Sequence, residues 1–289
     1  MRAPWPLLLL CLAAPLRAQS THALIVVGVG GEPRLVQQFQ QDGTQLRVAL
    51  VQRFGASATL LTETSTPRSD KAGIAAALGR LAADTKPGDR ALLVFIGHGS
   101  AQGDVARINI PGPDLSASEL AVLLEQLAGR ATTIVLASSA SGAFVPVLKG
   151  ANRTIVSATR SGAENEEVVF PRYFAQAFAQ DVADSNKDGG VSIAEAFEYA
   201  KREVARFYQQ QNRLPTEHAV LSDSAGAQRF VLRSGGAVAA DPKLAAIQQR
   251  IDALKARKAD MPESDYQTEL EKLMLELARR TRELRASGQ

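Results

Sequence analysis

Three serines stand close together at positions 138, 139 and 141, and a histidine stands at 98. A hydroxyl beside an imidazole can carry out nucleophilic acyl transfer: the ring takes the hydroxyl proton while the oxygen attacks a carbonyl carbon. The serines end the apolar run TTIVLA (132–137), and Gly142 follows them. His98 ends LLVFIG (92–97), and Gly99 follows it. Apolar strands that open into small polar residues place those residues at the carboxyl edge of a sheet, where α/β proteins form ligand clefts. Ser139 and His98 make a candidate catalytic pair. Backbone amides near Gly99 and Ser139, with Gly142 in the turn, make a candidate oxyanion site. His98 also has a plainer reading, as a ring that bonds a neighbouring carbonyl at a strand end.

A second cluster is built from oxygens. DSNKDGGVSIAE (184–195) sets Asp184, Asn186 and Asp188 at positions one, three and five of a twelve-residue loop. Gly189 falls at six, the Gly190 carbonyl at seven, Ser192 at nine and Glu195 at twelve. That register wraps hard oxygens around one point and suits calcium. An Asx-rich turn capping the next helix accounts for the Asp and Gly residues, but not for the register. Sensor proteins pair such loops, so a structural calcium is expected here rather than a switch.

The elements that must hold these residues are legible as alternating patterns. Apolar runs within 22–33, 56–63, 89–100, 132–144 and 152–162 read as strands; 35–53, 70–85 and 114–127 suit helices. Ser116 followed by Glu119 is a capping box. Strands that are apolar throughout, separated by helices, predict a mainly parallel α/β sheet with helices on both faces. Three strand ends then read GHGS, SSASG and SATRSG. Beside the last, Ser157, Arg160 and Glu164 either line a pocket for a charged side chain or form a solvated loop. His22 and His218 read as structural. GVGGEP after the first strand lacks the spacing of a dinucleotide fingerprint.

Charge and the chain ends narrow the classes. Lys and Arg total 33 against 30 Asp and Glu, and no basic tract interleaves with aromatics, so nucleic acid is not expected as a partner. Residues 1–18 read as a signal peptide too short to span a membrane, so export to a periplasm or beyond is expected. Cys11 is the single cysteine. Cleavage after Ala18 would leave none, excluding disulfides and thiol chemistry. After a linker at 233–241, residues 242–289 carry Leu244, Ile247, Ile251 and Leu254, then Leu270, Leu273, Leu277 and Leu284, at spacings that suit an antiparallel helical hairpin. Ser264 and Gln267 suggest a capping box at the second helix. The hairpin is either a packing arm or an arm for homo-oligomerisation or for an envelope partner.

Taken in order, these motifs resemble the legumain-type cysteine peptidases of caspase-like fold. In that family a strand ends His-Gly and a later one ends Ala-Cys-x-Ser-Gly, with His and Cys as the dyad. Here His98-Gly99 is followed about forty residues on by Ser138-Ser139-Ala140-Ser141-Gly142. RTIVSATRSGAENEE (153–167) resembles the family's next strand and the loop bordering its specificity pocket, and TEHAVLSD (216–223) resembles a late strand. The likeness spans roughly 22–232 and implies inherited dyad positions at His98 and Ser139. The departure is Ser139 itself. A thiol of pKa about 8.5 supplies thiolate at neutral pH, whereas a serine needs a closely bonded base held by a third group. The expectation is therefore an inactive family member that binds a peptide or protein. A Ser139–His98 hydrolase and an envelope scaffold are the alternatives.

Overall fold

A computed structural model describes residues 19–103, 105–180 and 182–233. In the C-terminal region it describes 243, 246–247, 250–251, 253–254, 257–258 and 261–287. The expected signal peptide with Cys11, nearly all of the 233–241 linker, and Leu244 lie outside the described residues.

The apolar strands assemble as their composition predicts. β1 (Thr21–Val27) is flanked by β2 (Ser57–Leu61) and β3 (Arg90–Gly97), all parallel. β7 (Ala131–Ser138) pairs parallel with β3, and β8 (Arg153–Ser157) pairs parallel with β7. A two-residue strand, β10 (Val220–Leu221), closes the edge antiparallel to β8, giving the order β10-β8-β7-β3-β1-β2.

Each strand sends alternate side chains to opposite faces. Ile25, Val94 and Val135 pack on one face beneath α1 (Pro33–Phe54), α5 (Phe170–Ala179) and α6 (Ile193–Gln210). Leu24, Phe95 and Ile134 pack on the other, beneath α2 (Lys71–Asp84) and α3 (Ala117–Leu124). Helices on both faces are why the strands need no polar side. α3 opens with the Ser116–Glu119 capping box, and α6 opens with a second one, Ser192–Glu195.

Two small sheets were not foreseen. β4 (Gly99–Gln102), β5 (Val105–Ile108) and β6 (Leu115–Ser116) form an antiparallel meander directly after His98. β9 (Gly190–Ser192) pairs antiparallel with β11 (Val231–Arg233). Between β10 and β11 runs α7 (Ser224–Arg229), with a short α4 (Val145–Leu148) after β7. The Arg90 guanidinium donates to the carbonyls of Arg229 and Val231 at 2.7 Å each, fastening β11 to the start of β3.

α8 (Glu263–Ser287) shares a separate apolar cluster with Ile247, Ile251 and Leu254. Tyr266, Leu270, Leu273 and Leu277 supply its side of that cluster; the Leu284 side chain lies outside the described residues. Lys258 pairs with Glu263 and Arg250 with Glu276, so residue numbers fall on one segment as they rise on the other. The expected cap at Ser264 is not what starts α8. The helix begins one residue earlier, the Gln267 amide donates to Glu263, and the Ser264 hydroxyl donates to Asp265. Among the described residues no helix is long and apolar enough to cross a membrane.

Candidate functional site

β3 and β7 are neighbours in register, with Gly97 opposite Ser138. The residues that follow them, His98 and Ser139, therefore leave the same edge of the sheet at the same level. What each side chain does there is set by its nearest backbone. Ser139 is 1 % exposed. Its Oγ accepts from the Gly99 amide at 3.0 Å and donates to the Gly99 carbonyl at 3.1 Å. One residue thus takes both functions of the hydroxyl. Gly99 suits this role because a Cβ there would lie 2.4 Å from the Ser139 carbonyl oxygen. The Gly99 amide, expected to hold an oxyanion, already serves Ser139.

The His98 ring sits elsewhere. Its Nε2 is 3.2 Å from the Gly30 carbonyl, and the ring stands edge-on to Phe39 at 5.3 Å. A carbonyl only accepts, so Nε2 carries the proton and donates. Among the described residues no hydrogen bond joins His98 to Ser139. This is the plainer arrangement anticipated for a strand-end histidine.

The turn after Ser139 is fixed by the loop after β8. Ala140 adopts a left-handed φ of 52° and donates its amide to the Glu164 carbonyl at 2.7 Å. Gly142 presses on the next loop, where a Cβ would lie 2.3 Å from the Arg160 carbonyl carbon. Ser141, buried, accepts from the Thr159 amide and donates to the Thr159 hydroxyl, which passes its own proton to the Ser161 carbonyl.

The three residues expected to border a pocket are put to other uses. Ser157 is wholly buried and donates to the Thr159 carbonyl at 2.9 Å, so it lines no open surface. Arg160 is 68 % exposed, whereas Glu164 is only 12 % exposed. The Glu164 carboxylate accepts from the Arg160 amide, the Arg160 guanidinium, the His218 amide and His218 Nδ1, the last at 2.8 Å. Burial alone would raise its pKa; the bonds from Arg160 and His218 outweigh that and hold it below the ordinary carboxylate value.

The part His218 plays is not legible in sequence. It stands 54 residues from Glu164 and meets it only because β10 lies on β8. Its neighbour Glu217 was missed as well. That carboxylate is buried and accepts from the Val169 and Phe170 amides, at 2.8 and 3.1 Å, capping α5. Burial pushes its pKa up to about 7 against the pull of those amides.

The 184–195 loop closes on its own backbone amides. Lys187 and Gly189 have left-handed φ of 56° and 80°, and the amides of 188–190 turn onto the side chains of Asp184, Asn186 and Asp188. Asp184 accepts from the Asp188 and Gly189 amides, Asn186 from the Asp188 amide, and Asp188 from the Gly190 amide. Glu195 accepts from Ser185 and Asn186 with one oxygen and from Ser192 with the other. Burial, then the charges of Asp188 and Glu195, raise the Asp184 pKa against its amide bonds. The side chains at positions one, three, five, nine and twelve carry hard oxygens, the donor type calcium takes. In this form their oxygens are turned onto amides, and Asp188 also pairs with Arg233 at 3.1 Å. Among the described residues no group of three or more His, Cys, Asp and Glu side chains converges as a metal centre.

No family model and no curated protein matches this chain. Among solved structures, the chain is similar to the Drosophila initiator caspase Dronc. That match has a TM-score of 0.47 at 8 % identity and covers 72 % of this chain and 81 % of that one. A second similar structure is caspase-1 from Spodoptera frugiperda, with a TM-score of 0.47 at 13 % identity, covering 71 % and 87 % of the two chains.

Proposed function

We propose that this chain is an exported, legumain-related domain of caspase-like fold that has lost peptidase chemistry and binds a peptide or protein at the carboxyl edge of β3, β7 and β8. The observation that carries the inert reading is the Ser139 hydroxyl, closed onto the Gly99 peptide group and not bonded to His98. A serine nucleophile needs a base in hydrogen-bond contact. Here the His98 imidazole donates to Gly30, and the Gly99 amide that would receive an oxyanion is taken. The test is a serine-reactive fluorophosphonate probe on the native protein and on Ser139→Ala. Neither is expected to label. Labelling of the native protein that disappears in the variant would establish an active Ser139–His98 hydrolase instead. That second reading draws on the level placement of the two residues.

The 184–195 loop binds one structural calcium in this proposal. Asp184, Asn186, Asp188, Ser192 and Glu195 supply side-chain oxygens, and Gly190 supplies its carbonyl. The ion's role there is to neutralise three carboxylates and hold the loop. Residues 242–289 form a helical arm, supported by the separate cluster around Ile251 and Leu273. Assembly of a cell-envelope complex through that arm is the scaffold alternative. Export places the protein in a periplasm or outside the cell.

A further inference from the structure

α8 presents two long faces. Tyr266, Leu270, Leu273 and Leu277 meet Ile247, Ile251 and Leu254. Thr268, Glu271, Leu275 and Arg279 follow one another at spacings of three and four, a stripe on the opposite side of a 3.6-residue helix. Leu275, 65 % exposed, lies at the centre of that stripe. One exposed leucine is ordinary. The order of charge around it is not. From 263 to 271 stand four acids, Glu263, Asp265, Glu269 and Glu271, with no base. From 279 to 285 stand four arginines, at 279, 280, 282 and 285, with the single acid Glu283. Within its own helix Arg279 pairs with Glu283 at 3.9 Å, an exposed and therefore weak contact.

We infer that this face docks a second copy of the same chain, α8 lying antiparallel on α8 about a two-fold axis at Leu275. The two leucines then meet. Glu271 and Arg279 stand four residues to either side, about 6 Å along the axis at 1.5 Å per residue. The axis therefore sets Glu271 of each copy beside Arg279 of the other. The acidic end of each helix lies along the basic end of its mate. A parallel pair would set like charge on like, which disfavours it. Such an interface is isologous, so it closes at two copies rather than growing into a filament. It is narrow, and two of its contacts are exposed ion pairs, so the dimer is weak and loosens as salt rises. The inference rests on the helical-arm part of the proposed function and is independent of Ser139.

Sedimentation velocity on the full chain, over a range of concentrations and at low and high salt, tests it. The native protein should show a concentration-dependent dimer that salt weakens. Glu271→Arg and Arg279→Glu should each raise the dissociation constant about tenfold or more, since symmetry spoils two contacts with every reversal. Mixed in equal amounts, the two variants should dimerise again. One copy then offers Arg at both positions, the other Glu at both. Both side chains are exposed, so far-ultraviolet circular dichroism should not change. A native protein that stays monomeric, variants that dimerise as the native chain does, or a mixture that stays monomeric would each overturn the inference.

Discussion

Ser139 holds the strand ends together by giving and taking a proton bond at one glycine. A catalytic serine is commonly dispensable for stability; this one is not expected to be. In Ser139→Ala the Gly99 amide and carbonyl lose their buried partner, and leaving such groups unpaired costs about 1–3 kcal/mol. Urea unfolding of the variant should show that loss, and a variant as stable as the native chain would contradict the arrangement. Glu217 gives a pH dependence of definite sign. Its folded pKa of about 7 lies above its ordinary 4.5. The stability tied to its proton is fully present below about 4.5 and is lost as pH rises through about 7. Asp42, buried and raised to about 6, acts in the same direction. The melting temperature should therefore fall across that window, and Glu217→Gln should flatten part of the fall. Serine, histidine and glycine were readable in sequence because they are contiguous with strands. The Glu164–His218 pair was not, because nothing local links residues that only sheet pairing brings together.

Elements explain which parts of the fold were legible. The parallel strands announce themselves through unbroken apolar runs, and α3 through its capping box. The β4-β5-β6 meander does not. Its strands hold four, four and two residues, too few for a period to emerge. Ser264 suggested a helix start because a capping box is a local pattern; Pro262 and Glu263 took that role in the fold. Two predictions belong here. Gly142→Ala drives a methyl into the Arg160–Ser161 peptide, a backbone that cannot swing aside. It should cost about 1–3 kcal/mol in a thermal or urea melt. A chelator should lower the melting temperature of the native protein, and Asp184→Ala should abolish that effect. An unchanged native melting curve on chelation would remove calcium from the account.

At the scale of the molecule, two apolar layers enclose the sheet, and a third cluster lies apart around α8. The sheet's cooperativity comes from the first two, so a chain ended after Arg233 should melt within a few degrees of the full protein. A collapse of that truncated chain would show that the arm completes the core.

The junction between these parts has a mechanical side. Among the described residues β11 is the last strand before the arm. It is held by three residue pairings with β9, by the Arg90 guanidinium and by the contact of Arg233 with Asp188. Because β9 is itself the second half of the 184–195 loop, a pull on whatever the C-terminal segment grips loads that loop in shear. Arg90 carries part of the same load straight to the start of β3, so the loop and the sheet edge share it.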